Sequence, residues 1–349
     1  FELTGIKPGV YTLRVSGVGY AALRREVDLQ SQSLVELALT IQSAPGMLGE
    51  VVVSASRSVE TLEETPASIY VVDTKRLESQ MKISPNVANI LAALVPGLAL
   101  NTNTTSNTGQ TLRGRNVLVM IDGIPQSTPL RAGGRDIRSI DPAAIQRIEV
   151  VKGATAVYGN GADGGLINYI TKVPESSKPF SASTSLANTG MLAHAGETFG
   201  GRLTQQITGK IDSWDYVVTG TYERTGVFKD AEGDVLSPTY GLGETDMYNV
   251  FLKSGYDLSS DHRVELMYNY FSSGQSSAYV EQTGKFLETP TVGVEGEHKG
   301  EKEGTRYNHN VQLKYYGTNL IGSTGLDAAL YTQQFSTLYG YRAFFENGG

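Results

Sequence analysis

The chain contains no cysteine, which excludes disulfide frameworks, zinc–thiolate sites and cysteine nucleophiles. It has no run of about 18 apolar residues, so no transmembrane helix is predicted. Acidic residues outnumber basic ones, 36 to 29, and the net charge of −7 argues against a nucleic-acid binder. The four histidines lack metal-ligand spacing, and no nucleophile–base pair is evident. We therefore expect neither an enzyme nor a metal or cofactor site.

The first 43 residues alternate apolar and polar side chains over short segments that turns separate. Strands are predicted near 11–15 and 34–39, a pattern typical of one end of a β-sandwich. The stretch PGVYTLRVSGVGY, residues 8–20, resembles the carboxypeptidase regulatory-like domain. Because the chain starts at Phe1 within this pattern, we expect a fragment of a longer protein.

Residues 44–56 are interpreted as a linker that carries one short strand. The strand is β-branched and apolar, and such a segment can add to the edge of another sheet through backbone hydrogen bonds. Its residues are Glu50, Val51, Val52, Val53, Ser54 and Ala55. The alternative is that it is simply the first strand of the next domain.

Residues 57–173 have the pattern of a compact α+β domain. A strand ends at Asp73-Thr74, a possible helix N-cap, and a helical spacing that follows Asn86 stops at Pro96-Gly97. The continuous apolar run 117–121 predicts a strand buried on both faces.

From residue 180 to 349 the side-chain period becomes two, and most segments are long enough to cross a bilayer at a tilt. Short and long connections alternate between them, as in an outer-membrane β-barrel. Fourteen of the 19 tyrosines follow Tyr169, and those near strand ends fit interfacial girdles. We therefore predict about seven antiparallel strands of a transmembrane β-barrel, at 180–191, 198–210, 214–226, 245–257, 261–273, 305–318 and 324–335.

The most specific stretch runs from Leu112 to Lys172. It contains, in order, LRGR at 112–115, IDGIP at 121–125, DPAAIQRIEV at 141–150, KGATAVYG at 152–159 and GGLINYITK at 164–172. This order of motifs resembles the plug domain of TonB-dependent receptors, over residues 50–173. Among them, ferric-siderophore receptors, including the aerobactin type, are most similar.

Glycine explains part of this pattern, because it permits tight turns and close backbone approach in a packed plug. The structural glycines expected here are Gly114, Gly153, Gly159, Gly164 and Gly165. Residues 159–164 also match G-x-G-x-x-G, but the alternating segment 166–171 that follows predicts a strand. A dinucleotide site needs a helix there, so nucleotide binding is not expected.

The resemblance implies that Arg113 and Arg115 are plug cations that pair with acids of the barrel. A charge in that water-poor interface must be paired. Lys152 stands where the family commonly has arginine, and lysine cannot make planar bidentate contacts. We call the expected ion pairs of Arg113, Arg115 and Lys152 with barrel acids the plug–barrel lock. We expect the contact at Lys152 to be weaker than one made by arginine.

The resemblance also implies that the plug loop 126–136 faces outward toward the siderophore. Guanidinium and amide groups suit carboxylate and hydroxamate oxygens. The alternative is a solvated loop whose arginines pair with barrel acids. The candidate ligand residues are Gln126, Ser127, Arg131, Arg135 and Arg138.

The resemblance implies active import of a ferric siderophore across the bacterial outer membrane, with the plug and N-terminal extension facing the periplasm. The partners it implies are TonB with its ExbB/ExbD energising complex, the siderophore, and outer-membrane lipid. The segment 50–55 is then the TonB-box-like strand. Three alternatives stay open: another cargo such as cobalamin, haem or a glycan, a signalling receptor without import, and a passive porin or adhesin.

Overall fold

A computed structural model describes most of the chain, and it divides into two compact units, residues 1–69 and 70–349. No helix in the described part is long and apolar enough to cross a membrane. The described residues are 5–15, 23–30, 37–40, 51–52, 60–61, 68–107, 109–126, 136–174, 178–239, 241–298, 300–321 and 324–338.

The first unit contains two small antiparallel pairs of strands. Strand β1 (Val10–Val15) pairs with β2 (Leu23–Asp28), and β3 (Val51–Val52) pairs with β4 (Glu60–Thr61). The strand predicted at 11–15 is confirmed, and it begins one residue earlier, at Val10. The strand predicted at 34–39 is not found at 37–39, and its first half lies outside the described residues.

The α+β domain has two short helices whose ends follow the sequence signals. Helix α1 (Thr74–Met81) begins after Asp73, whose side chain accepts from the Arg76 amide, as an N-cap should. Helix α2 (Val87–Leu94) begins after Asn86 in the same way. Its buried Val87, Ala88, Ile90 and Leu91 form one face, which packs into the core.

A five-stranded sheet completes this domain, in the order β5-β8-β9-β6-β7. Strands β6 and β9 are parallel, and β9 is antiparallel to β8. A 3-10 helix, Pro142–Ala144, leads into β8. The strands are β5 (Ser68–Val72), β6 (Val117–Ile121), β7 (Ile124–Pro125), β8 (Ile145–Lys152) and β9 (Gly165–Thr171). Strand β9 follows the G-x-G-x-x-G match, which confirms that this is no dinucleotide fingerprint.

Seven long strands form one antiparallel sheet, which we call the wall. All seven predicted segments are confirmed, with bounds that differ by at most a few residues. The strands are β10 (Ser181–Thr189), β11 (Gly200–Ile211), β12 (Trp214–Arg224), β13 (Thr245–Asp257), β14 (His262–Gln275), β17 (Gly304–Ile321) and β18 (Thr324–Leu338).

The connections give the wall a short-turn end and a long-loop end. Residues 212–213 and 258–261 are short turns, whereas 225–244 and 276–303 are long loops at the opposite end. The second loop contains a hairpin that the sequence did not reveal, β15 (Tyr279–Gln282) with β16 (Val292–Glu295). Ser237 and Thr239 donate hydrogen bonds to Glu281, so the two long loops are tied together.

Side chains of the wall alternate between a covered and an open face. In β13 every second residue from Thr245 to Gly255 is buried, and the intervening ones are half-buried or exposed. The buried face includes Val217, Phe251 and Met267, which belong to the same apolar core as the α+β domain. The α+β domain therefore packs on the buried face of the wall, and we call it the plug.

Candidate functional site

The plug contacts the wall through Asp122, which follows strand β6 in a turn with a positive φ of 47°. The wall residue Lys253 places its Nζ 3.1 Å from Asp122 Oδ2 and 3.0 Å from Thr171 Oγ1. Thr171 in turn donates to both carboxylate oxygens of Asp122, at 2.9 and 2.6 Å. Lys314 is on β17, two strands along the wall from the β13 strand of Lys253, and it donates to the Asp122 carbonyl at 2.6 Å.

These contacts set the ionisation state of the Asp122 carboxyl group. Burial alone would raise its pKa, but the ammonium groups of Lys253 and Lys314 and the hydrogen bonds from Thr171 lower the pKa to about 2. The carboxylate is therefore charged at any physiological pH.

A pH prediction follows from this lowered pKa. Because the folded-state pKa lies below the unfolded value, Asp122 stabilises the folded plug fully above pH ~4, and this contribution of about 2 kcal/mol is lost as the pH falls toward 2. Calorimetry of the receptor and of Asp122→Asn as a function of pH measures the effect. The two should differ less at pH 2.5 than at pH 6, and an equal difference at both would contradict the assignment.

A second charged contact lies near the long-loop end of the wall. Arg202 of β11 donates to Asp141 of the plug at 2.7 Å and to Glu223 of the wall at 2.7 Å. Asp141 also caps the 3-10 helix by accepting from the Ala143 amide at 2.8 Å. The Asp141 and Arg202 side chains are 0% and 8% exposed, so this pair is shielded from water.

Besides the two charged contacts, neutral hydrogen bonds connect the wall and the plug. Wall amides donate to plug backbone carbonyls: Asn269 to Ser139 at 2.9 Å and Gln312 to Ile121 at 3.0 Å. Such bonds let wall side chains hold the plug by its backbone. The plug is thus seated by polar groups along its length.

The predicted lock residues lie elsewhere. Arg113 and Arg115 are exposed, and within the described part of the chain neither forms an ion pair. The Lys152 ammonium lies 5.0 Å from the ring centroid of Tyr70, inside the plug. Their pairing with barrel acids stays a prediction. Between plug and wall, the ion pairs that the structure describes have the opposite polarity, with plug acids on wall cations.

Two of the five candidate ligand residues can be placed. Gln126 is buried, and its side-chain oxygen accepts from Gln333 of the wall at 3.0 Å. Arg138 is half-buried and donates to the Thr104 carbonyl at 2.8 Å. Ser127, Arg131 and Arg135 lie outside the described residues, so their role stays a prediction.

Asp136 ends the predicted ligand loop. Its carboxylate accepts from Asn107 at 3.2 Å and from the Ile137 amide at 3.0 Å. Burial outweighs these bonds and raises the pKa of Asp136 to about 6.

The TonB-box-like segment is described only at Val51 and Val52. These residues pair with Thr61 and Glu60, so one edge of the short strand already has a partner. Glu50 and the residues Val53, Ser54 and Ala55 lie outside the described residues.

The motif glycines occupy conformations that suit them. A Cβ on Gly164 would lie 2.8 Å from the Leu112 carbonyl oxygen, and one on Gly165 would overlap the Val151 carbonyl. Gly114, Gly153 and Gly159 have positive φ angles, 78°, 111° and 97°. The GGLINYITK motif thus brings backbone segments closer than a side chain permits, whereas Gly114, Gly153 and Gly159 supply backbone conformations that favour glycine.

The open face of the wall carries two belts of aromatic residues. Toward the long-loop end, Tyr222 stacks near Tyr248 at 5.0 Å between ring centroids, and Tyr270 and Tyr307 flank His309. Toward the short-turn end lie Trp214, Tyr216, Tyr256, His262 and Tyr315.

The spacing of the belts approaches the height of the apolar band of an outer-membrane barrel, about 25 Å. On β13, Tyr248 and Tyr256 are eight residues apart, which is ~26 Å along a strand and about 20 Å across a membrane at a typical barrel tilt. Between the belts, a row of leucines crosses three strands: Leu266 pairs with Leu313, and Leu313 with Leu330. An apolar band between aromatic girdles is the outer face of an outer-membrane barrel.

A plug domain on the inner face of such a wall defines a plugged outer-membrane protein. The family profile "TonB-dependent Receptor Plug Domain" matches residues 61–166. The chain is 30% identical to the rhizobactin receptor of Rhizobium meliloti (strain 1021) over 277 residues, 78% of this chain and 36% of that one. It is 30% identical to the ferric aerobactin receptor of Klebsiella pneumoniae, over 82% of this chain and 40% of that one. Residues 61–166 are therefore a TonB-dependent receptor plug domain, and the chain as a whole is similar to receptors that carry this domain.

Solved structures agree on the fold. The alcaligin outer membrane receptor of Bordetella pertussis superposes with a TM-score of 0.55 at 14% identity, over 83% of this chain and 43% of that one. At this identity the likeness concerns the fold alone. The chain spans about 36–40% of the length of the two curated relatives above, so the function of the whole receptor is a proposal.

Proposed function

We propose that the protein is part of a receptor that imports a ferric siderophore across the bacterial outer membrane, driven by TonB with its ExbB/ExbD complex. One observation carries the proposal: a plug sits on the inner face of a wall whose outer face has an apolar band between two aromatic belts. The plug and the N-terminal extension would face the periplasm, and the long loops the outside.

The cargo is proposed from the relatives. The rhizobactin and ferric aerobactin receptors both cover about four fifths of this chain, including strands of the wall. In the plug, Arg138 and the arginines of the loop 127–135 supply the cationic groups that an anionic chelate needs.

The long-loop end offers further contacts for the cargo. A cavity of about 730 Å³ there is lined by residues of two loops, among them Glu197, Tyr279, His298 and Lys302. Tyr279 donates to Glu197 at 2.5 Å, and this bond raises the pKa of Tyr279 to about 12. The bond joins the β15–β16 hairpin to the loop 190–199, so this rim is held in shape.

Energy input is proposed to come through Val51 and Val52. Strand addition uses backbone hydrogen bonds, so the partner needs a free edge and intact N–H groups. Pairing with Glu60–Thr61 occupies one edge, and among the residues that the structure describes no strand pairs with the other edge, where TonB would add.

Cells that express the whole receptor, with labelled ferric aerobactin as the probe, test this mechanism. We expect Val52→Pro to abolish uptake, because proline removes the N–H donor, while binding to de-energised cells is retained. The matched control Val52→Thr keeps the N–H and the β-branched shape and should import normally. Uptake by Val52→Pro at the parental rate would refute the strand-addition step.

Unlabelled haemin and cobalamin as competitors separate the alternative cargoes, since displacement of the label by either would reject the siderophore assignment.

A further inference from the structure

Two wall cations are each placed between one plug carboxylate and one wall carboxylate. Arg202 contacts Asp141 of the plug and Glu223 of the wall, both at 2.7 Å. Lys253 contacts Asp122 of the plug at 3.1 Å and Glu265 of the wall at 3.3 Å.

In each triad the wall cation and the wall acid lie on neighbouring strands, although the two triads lie at different heights of the wall. In the first, Arg202 and Glu223 are direct cross-strand partners on β11 and β12. In the second, Lys253 faces Met267, and Glu265 is the diagonal neighbour on β14. In both, the wall acid and the wall cation are fixed to each other by strand register and do not depend on the plug.

Other wall cations near the plug are arranged differently. The ion-pair partners that the structure describes for Arg263 all belong to the wall: Asp215 at 2.8 Å, Asp257 at 2.7 Å and Glu265 at 4.0 Å. Lys314 touches the plug at a backbone carbonyl. A plug acid, a wall cation and a wall acid therefore occur together at Arg202 and Lys253.

We propose that these triads are charge hand-over points, at which Glu223 and Glu265 keep Arg202 and Lys253 paired when the plug carboxylates move away. The inference rests on the proposed TonB-driven import, during which the plug must move away from the wall to let the siderophore pass. A buried cation that loses its sole partner is strongly disfavoured. A second acid held by the wall removes that penalty from the displaced state, while the plug acid still positions the plug at rest.

If the charge is handed over, removing the plug acid and removing the wall acid of one triad should have opposite effects on how easily the plug opens. Loss of the plug acid weakens the resting state, so the plug should open more easily. Loss of the wall acid leaves the resting pair intact but leaves the cation alone after the plug moves, so the plug should open less easily. A purely structural triad would instead loosen when either acid is removed.

The test uses the purified whole receptor in lipid nanodiscs, without TonB or siderophore, and a Val217→Cys substitution as the probe. Val217 is on the inner face of the wall and fully buried in the shared core. This chain has no cysteine of its own, and the receptor without Val217→Cys gives the background. The rate of maleimide labelling in mild urea reports opening of the plug.

We expect Asp141→Asn and Asp122→Asn to speed labelling about tenfold, and Glu223→Gln and Glu265→Gln to slow it about threefold. Asparagine keeps the oxygen that caps the 3-10 helix, so Asp141→Asn isolates the charge. The control Glu301→Gln removes one acid of an exposed ion pair with Arg306 and should label at the parental rate.

Faster or unchanged labelling in Glu223→Gln and Glu265→Gln would overturn the proposal, as would slowing in Glu301→Gln. Labelling needs no transport. If the labelling rates are as expected but the receptor does not import the siderophore, the proposed function is rejected and the hand-over proposal stands.

Discussion

Replacing Lys253 by methionine is expected to destabilise the seating of the plug by about 3–5 kcal/mol, the usual penalty for removing one partner of a buried ion pair. Methionine keeps much of the apolar stem, so packing against the wall is largely preserved. What is lost is the ammonium group that joins Asp122, Thr171 and Glu265. Two carboxylates, 7% and 10% exposed, would then lie in the same shielded interface, with Lys314 beside Asp122 and Arg263 4.0 Å from Glu265.

Scanning calorimetry of the receptor measures this effect, since the plug should unfold at a lower temperature than in the parent. Lys285→Met is the matched control, because Lys285 pairs with Glu288 on the surface, with side chains 78% and 66% exposed. Exposed pairs contribute between zero and about 1 kcal/mol. An equal, small shift for both variants would show that Lys253 does not seat the plug.

Gly165→Ala is expected to prevent the plug from folding, with a loss above about 4 kcal/mol. Gly165 has φ +141°, a region that other residues rarely adopt, and its added Cβ would overlap the backbone carbonyl of Val151. Because Val151 and Leu166 are paired between β8 and β9, neither strand can shift without breaking the sheet.

Gly159→Ala provides the comparison, because Gly159 also has a positive φ, +97°, but a Cβ there meets no atom within 4 Å. We expect it to lose about 1–2 kcal/mol from backbone strain alone. Protease resistance of the plug in outer-membrane fractions distinguishes the two variants. Resistance of Gly165→Ala equal to that of Gly159→Ala would contradict the close approach of β8 and β9.

Much of the fold follows from local signals in the sequence. Asp73 and Asn86 cap the helices that they were expected to cap, and the alternation around Val250 and Leu266 places the wall strands. These features depend on periodicity and on neighbours a few residues away, which a single sequence contains. The hairpin β15–β16 was missed because its strands have four residues each, too few for a clear period.

The plug–wall contacts could not be predicted in the same way. Lys253 is 131 positions from Asp122 in the chain, and nothing in either neighbourhood identifies the other as a partner. One signal was available: Lys253 and Lys314 lie in alternating strands, on the face opposite the apolar Val250 and Leu313. A lysine on the inward face of a membrane wall requires an acid, and Asp122 in the IDGIP motif was a candidate.

The most direct test of the central claim, a plug that must leave the wall for import, is uptake by a receptor whose plug is tied in place. The Asn269 side chain donates to the Ser139 carbonyl at 2.9 Å, so cysteines at these two positions lie within the span of a short bifunctional methanethiosulfonate cross-linker. With the cross-link formed, we expect cells to bind labelled ferric aerobactin but not to take it up, and a reductant to restore uptake. Uptake at the parental rate by the cross-linked receptor would contradict the account.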